Sequence, residues 1–321
     1  MMQRIQGIHH ITAVAGDPQR NLTFYHEVLG QRLVKTTVNF DDPGTYHFYF
    51  ADQIGTPGTV MTFFPWRHMK RGGRGNGEVG AVAYAIPPAS VGYWRDRLAK
   101  AQVAVREARR FDAPALIFED PDGMSLELVT AEEKRTIRFW DRGPVPERHA
   151  LRGFHSAALT IDSLARLEPL LVGVMGYERL KAEGECVRFR AASDDIGLYL
   201  DVIERPDAPT AQFGAGSVHH IAFRTVDDAE QLEYRQAVEN AGCGVSPVRD
   251  RQYFHSIYFR EPNGVLFEVA TDAPGFLVDE PVETLGTALK LPPWYESQRT
   301  AIAARLPQIT IPTFEPQSGE R

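Results

Sequence analysis

Cysteine is nearly absent: the 321-residue chain holds only Cys186 and Cys243. Two thiols cannot build a disulfide framework, so a reducing compartment with both left free is expected. No uninterrupted apolar stretch approaches the ~20 residues that a membrane span needs. The opening MMQRIQGIHH also lacks the apolar run of a secretory signal, and a cytoplasmic protein is the expectation. Excess positive charge is missing too. With 35 Lys and Arg against 42 Asp and Glu, the formal net charge is -7. That balance exerts no general pull toward nucleic acid or an anionic membrane and favours a small-molecule substrate. Neither GxGxxG nor a P-loop pattern occurs, which leaves a nucleotide cofactor without support. One basic, glycine-rich run, Arg67 to Gly77 (RHMKRGGRGNG), departs from the acidic balance. Being short and set between strands, it reads as a mobile solvated loop that has the reach to cover a cleft. Assembly into a homo-oligomer is neither required nor excluded.

What the chain does contain is repetition. Gly7 to Gly30 (GIHHITAVAGDPQRNLTFYHEVLG) aligns without a gap on Gly153 to Gly176 (GFHSAALTIDSLARLEPLLVGVMG) as strand, turn, helix and terminal glycine. A second motif alternates with it: the segment from Gly77 parallels that from Gly216, and EDPDGMSLELV from Glu119 matches REPNGVLFEVA from Arg260. Each of the four copies reads as a strand, a helix and about three further strands, with alternating stretches such as YHFYF and SIYFR between turn residues. The expected class is therefore α+β, built from four βαβββ modules. Modules one and two occupy residues 1–140 and modules three and four residues 150–275. The charged, proline-bearing stretch TAEEKRTIRFWDRGPVPERHA links them. Residues 276–321 form a tail with a helix near WYESQRTAIAARL, whose Ile302 and Leu306 are spaced to pack on one side as a structural cap. Trp94, Tyr93 and Phe24 sit at helical positions and are expected in the core.

Two copies of one dipeptide, His9-His10 and His219-His220, open the first strands of modules one and four. Successive strand residues face opposite sides, so adjacent histidines cannot share a cavity without a bulge. The face of His9 carries Ile11 and Ala13, and that of His219 carries Ile221 and Phe223. These apolar faces belong beneath the helices, which places His9 and His219 there as hydrogen-bonded structural residues or as neighbours of a site. The opposite faces carry His10 with Thr12 and His220 with Ala222. On the last strand of module four, Glu268 shares its side with Gly264, Leu266 and Ala270. Across the modules, the first-strand position holds His10, Ala81, Ser156 and His220, and the last-strand position holds Thr62, Glu127, Asp201 and Glu268. Only modules one and four together supply two imidazoles and an acid. Glu127 and Asp201, set beside Ala and Ser, make a poor transition-metal site and read as hydrogen-bonded strand ends or relics. Two histidines and one carboxylate suit a divalent first-row metal and leave coordination positions for substrate and dioxygen. The expected ligands are His10, His220 and Glu268.

The phrase HHITAVAGDPQRNLTFYHEVLG, the fourfold module and the closing FEVA strand resemble the vicinal oxygen chelate superfamily of glyoxalases, extradiol dioxygenases and bleomycin-resistance proteins. GQRLVKTTVNFDD, YHFYFADQIGTPGTVMTFFP and DRQYFHSIYFREPNGVLFEVATD bring the resemblance closest to the hydroquinone ring-cleaving dioxygenases, over nearly the whole chain. That resemblance implies two barrel-like domains, with modules one and four enclosing one cleft and modules two and three the other. It implies iron(II) on His10, His220 and Glu268, with Mn, Zn or Ni as alternatives. It further implies His9, His219, Thr12, Arg251 and Tyr258 around the metal, and an aromatic diol and dioxygen as the reacting partners. Tyr258 would move a proton at the substrate hydroxyl and Arg251 would stabilise a developing anion. Arg251 also reads as an ion-pair partner within RDRQ, and His255 as a rim residue only. Two other functions share the fold: a glyoxalase-like isomerase or lyase with zinc or nickel as a Lewis acid, and a metal-free binding protein.

Overall fold

The computed structural model describes residues 4–132 and 137–314. Residues 133–136 of the expected linker and 315–321 of the expected tail lie outside the described residues. Four copies of the βαβββ module follow one another. The first comprises β1 (Ile8–Ala15), α1 (Pro18–Leu22, continued by a π-helical turn Thr23–Val28), β2 (Arg32–Asn39), β3 (Asp42–Ala51) and β4 (Val60–Pro65). The second is β5 (Glu78–Ile86), α2 (Val91–Lys100), β6 (Arg106–Arg110), β7 (Ala113–Glu119) and β8 (Ser125–Thr130). Next come β9 (Phe154–Ile161), α3 (Leu164–Pro169, with a π turn Leu170–Val174), β10 (Glu178–Glu183), β11 (Cys186–Arg190) and β12 (Tyr199–Glu204). The fourth is β13 (Val218–Thr225), α4 (Asp228–Asn240), β14 (Arg249–Asp250), β15 (Phe254–Arg260) and β16 (Leu266–Pro274). Gly30 and Gly176, at φ of 68° and 73°, end the matching helical segments of modules one and three in the left-handed conformation that glycine adopts without strain.

The modules pair across the chain. One eight-stranded sheet runs β14-β15-β16-β13-β1-β4-β3-β2, from modules four and one; the other runs β10-β11-β12-β9-β5-β8-β7-β6, from modules three and two. Each of the two consecutive regions thus contributes half of each sheet. Within every module the first strand lies parallel to the last, and equivalent residues meet in register: Thr12 opposite Thr62, Ala83 opposite Glu127, Ala158 opposite Asp201, Ala222 opposite Glu268. The apolar faces anticipated from alternation, including Ile11, Val82, Leu159 and Phe223, are buried in one core with the helical residues Phe24, Trp94 and Tyr234. Tyr93 packs against that core partly buried.

At each sheet's centre the first strands of two modules run antiparallel and carry two bulges. Between β1 and β13 the pairing steps from Ile8–Phe223 to His10–Ala222, and from Thr12–His220 to Ala13–Val218. The unopposed residues are His9 and His219. The other sheet repeats the device between β5 and β9, leaving Gly80 and His155 unopposed. A bulge inserts one residue and re-aims its neighbours. Simple alternation therefore fails here: His9 and His219 do not go beneath the helices but turn toward the same side as His10 and His220.

The tail meets the expectation of a packed cap. A 3-10 turn (Pro293–Gln298) leads into α5 (Arg299–Arg305), and Ile302 and Leu306 bury against Val38 and Leu291. The Arg67–Gly77 run is not a free loop. Arg71, Gly73 and Asn76 bridge to Ala215, Gln212 and Thr210, because backbone groups in this glycine-rich stretch find partners in the segment before β13. It does not line the cleft between modules one and four. Cys186 and Cys243 are free. Among the described residues no helix is long and apolar enough to cross a membrane.

Candidate metal centre and its cleft

His10 on β1, His220 on β13 and Glu268 on β16 converge where the two central strands meet the last strand of module four. Glu268 Oε2 lies 2.9 Å from His220 Nε2 and 3.4 Å from His10 Nε2, and the two imidazole nitrogens are 3.4 Å apart. The three are buried, Glu268 completely. Each of the two imidazoles is tied back through its other nitrogen. His10 Nδ1 meets His9 Nδ1 at 2.9 Å, and His220 Nδ1 meets His219 Nδ1 at 2.8 Å. The tautomer that donates from Nδ1 of His10 and His220 leaves both Nε2 lone pairs bare, as metal coordination requires. Those lone pairs then face a carboxylate oxygen that is buried and has no hydrogen-bond partner of its own. Three electron-pair donors aimed at one point repel one another, and a cation relieves the repulsion. The donor set fits a divalent metal.

The electrostatics agree. Burial holds His220 below its usual pKa against the opposing pull of Glu268, and burial with the neighbouring His220 pushes His219 down to about 3. A neutral imidazole, the ligating form, follows for His220 at pH 7. Burial alone would raise Glu268, yet positive charge at the imidazoles outweighs it and holds the carboxylate well below its ordinary range, and a bound cation would supply that charge between neutral imidazoles. The Ser256 hydroxyl on β15 donates to Glu268 Oε1 and fixes the carboxylate plane. Thr62, at the fourth equivalent position, is a hydroxyl bonded to Thr12 at 2.8 Å rather than a ligand. That side of the centre stays open.

It opens into a cleft of about 410 Å³. The walls are apolar and aromatic, with Phe40, Phe64, Phe254 and Leu266, and the polar groups include Arg251, Tyr258 and His219. Arg251 Nε donates to Tyr258 Oη at 3.1 Å while Nη1 holds Asp41 at 3.1 Å, so this arginine is both a cleft residue and an ion-pair partner. Burial and the Glu268 charge raise the Tyr258 pKa, and Arg251 only partly offsets them; the phenol stays protonated. Thr12 lines the cleft beside His10. His9 is buried against Phe254, with ring centroids 5.3 Å apart, behind the ligand rather than in the opening. His255 is not a rim residue. Its Nδ1 reaches Asp228 at the start of α4, 2.6 Å away, on the other side of β15. Sequence reasoning missed His47, Tyr49 and Ser256. The signal was the alternation in YHFYF and in SIYFR, which sets His47 with Tyr49, and Ser256 with Tyr258, on one strand face each.

The second sheet encloses a larger cleft, about 710 Å³, with Glu127 and Asp201 at the ligand positions. Arg110 grips Glu127 through three contacts of 2.6 to 3.1 Å, and Arg188 takes Asp201 at 2.6 and 2.7 Å. The Arg188 guanidinium also lies 4.1 Å from the Phe111 ring centroid and 4.7 Å from that of Tyr199. Both acids are neutralised by fixed cations, so neither is free to ligate a metal as Glu268 could.

The family model described as the glyoxalase/bleomycin resistance protein/dioxygenase superfamily matches residues 7–128 and 153–269, both halves of the duplicated chain. The chain belongs to this superfamily. A candidate ring-cleaving dioxygenase of Bacillus subtilis (strain 168), MhqO, is 47% identical over 302 residues, covering 94% of this chain and 96% of its own. The chlorohydroquinone/hydroquinone 1,2-dioxygenase of Sphingobium indicum is 36% identical, covering 92% and 94%. Among solved structures, a candidate dioxygenase from Bacillus subtilis superposes with a TM-score of 0.92 at 45% identity, covering 97% of this chain and all of that one. Glyoxalase I of Zea mays, with a TM-score of 0.61 at 14% identity and coverage of 83% and 92%, shares the fold.

Proposed function

We propose that this protein is an iron(II)-dependent, extradiol-type ring-cleaving dioxygenase that acts on a hydroquinone or a related aromatic diol. The observation that carries the reading is the open three-donor centre of His10, His220 and Glu268 at the floor of an aromatic-walled cleft. The names of the full-length relatives support the reaction class. Iron(II) held there would bring diol and dioxygen together and couple their redox chemistry, so that both oxygen atoms enter the product as a ring carbon–carbon bond breaks.

The protein's own groups bind and orient the reactants. Phe40, Phe64 and Phe254 surround a flat ring and keep bulk water from it. Tyr258, accepting from Arg251 and kept protonated, holds its own proton toward a substrate oxygen, while the Arg251 charge offsets negative charge that develops there. His219 lines the opening between the Phe64 and Phe213 rings, with Nε2 as its free nitrogen. Ser256 and His9 keep the ligands in place.

The test is oxygen uptake by anaerobically reconstituted iron(II) protein mixed with hydroquinone or catechol. Uptake with loss of the aromatic absorbance is expected, and His10→Ala abolishes both metal and turnover. Zinc or nickel retained in the isolated protein, with no uptake after iron loading, would replace this reading by an isomerase or lyase. Full activity in metal-free His10→Ala would refute the metal site itself.

A further inference from the structure

A line of hydrogen bonds runs away from the metal ligands through module one. Thr12 Oγ1 lies 2.8 Å from Thr62 Oγ1, Thr62 Oγ1 lies 2.9 Å from His47 Nε2, and His47 Nδ1 lies 2.9 Å from Tyr49 Oη. All four residues line the cleft or sit at its wall; Thr12, Thr62 and Tyr49 are almost wholly buried. The His47 ring is held between those of Tyr49 and Phe64, with centroids 4.1 and 4.3 Å away.

The direction of the chain follows from its far end. Tyr49 is surrounded by the rings of Tyr253 and Phe276, and His47 is the hydrogen-bond partner found for its hydroxyl. If His47 donated from Nδ1, the Tyr49 proton would be buried without an acceptor, which carries a desolvation penalty. Tyr49 therefore donates to Nδ1, and the neutral imidazole carries its proton on Nε2. That proton goes to Thr62 Oγ1, so the Thr62 hydroxyl donates onward to Thr12 Oγ1. The Thr12 proton is left over, on a strand residue paired with His220 and facing the cleft. Burial keeps His47 neutral, as this arrangement requires.

The module repeat supplies an independent argument. Tyr49 stands opposite Thr62 as Tyr258 stands opposite Glu268, so His47 is the counterpart of Ser256, two residues earlier on the same face. Ser256 orients the carboxylate ligand of module four. His47 does the same for the hydroxyl that replaces it in module one.

We propose that Tyr49, His47, Thr62 and Thr12 form a one-way hydrogen-bond chain that presents the Thr12 hydroxyl as a proton donor to the oxygen atoms of reactants bound beside His10 and His220, with His47 as its positioning residue. The proposal rests on the dioxygenase reading for the identity of those reactants, and on geometry alone for the chain.

Two measurements test it. In metal-free protein labelled with 15N-histidine, His47 should show a protonated Nε2 and an unprotonated, hydrogen-bonded Nδ1, and Tyr49→Phe should erase that preference. In the iron-loaded enzyme, His47→Leu and Thr62→Val should lower kcat by about 10-fold to 100-fold, the range for groups that orient others at a metal site, with KM and metal content little changed. His47→Gln should recover most of the loss, because its amide accepts from Tyr49 and donates to Thr62. A wild-type Nδ1–H tautomer, or wild-type kcat in both His47→Leu and Thr62→Val, overturns the chain. An inactive wild-type enzyme with the expected tautomer would instead remove the dioxygenase reading and leave the chain standing.

Discussion

Glu268→Gln isolates the metal site from the chemistry. The carboxylate is completely buried and contributes the only negative charge among the three proposed ligands. A metal present at 1,000 times its dissociation constant stabilises the folded state by about 4.1 kcal/mol. Unfolding entropy of about 2.1 cal/mol/K per residue gives roughly 0.67 kcal/mol/K for 321 residues, so metal should raise the Tm of the wild-type protein by about 6 °C. Glutamine keeps the shape but not the charge. The metal-dependent rise should then shrink to about 2 °C or less, as an affinity loss of two or more decades removes at least about 2.7 kcal/mol of linkage. Calorimetry with and without iron(II) under argon, repeated with zinc, reads all of this. An equal rise in variant and wild type would place the metal elsewhere; no rise in the wild type would remove the site.

Tyr258→Phe should keep the metal and lower kcat by about 10²-fold or more, the usual scale for a positioned proton donor, as measured by oxygen uptake. The metal stoichiometry should be one per chain, and Glu127→Gln should leave it unchanged by elemental analysis, because Arg110 already occupies that acid's coordination sphere. Arg188→Leu should cost about 3–5 kcal/mol by leaving Asp201 buried and unpaired, seen as a Tm lower by about 4–7 °C with the metal retained. Metal-free stability should fall as pH drops from 6.5 toward 5. His9, His47 and His220 are held below their usual pKa when folded and take up protons near 6.5 when unfolded. The unfolded state then binds more protons, at about 1.4 kcal/mol per pH unit for each histidine. Denaturant titrations of His47→Gln should show a shallower pH slope by about one proton.

Much of the architecture was legible because burial and repetition leave traces in composition. The gapless match of Gly7–Gly30 to Gly153–Gly176 exposed the module, and period-two alternation separated helix-facing Ile11 and Phe223 from cleft-facing Thr12 and Ala222. Glu268 could be read as cleft-facing because Phe267 and Val269 claim the other face of β16. The same alternation misplaced His9 and His219. Their strands step out of register at those residues, and a bulge is a property of two paired strands rather than of either one. His255 misled for a related reason: the acid that claims it, Asp228, belongs to α4, 27 residues away.

Local chemistry thus determined the four modules and the two faces of their regularly paired strands, and it singled out His10, His220 and Glu268 as candidates over their counterparts. Those are properties of side chains a few residues apart, which periodicity records. Tertiary structure alone decided that the three donors lie within hydrogen-bonding distance, that Arg110 and Arg188 close off the sister cleft, and that His47 joins Thr62 to Tyr49. Each depends on contacts between strands that the chain order does not rank, and only their packing brings them together.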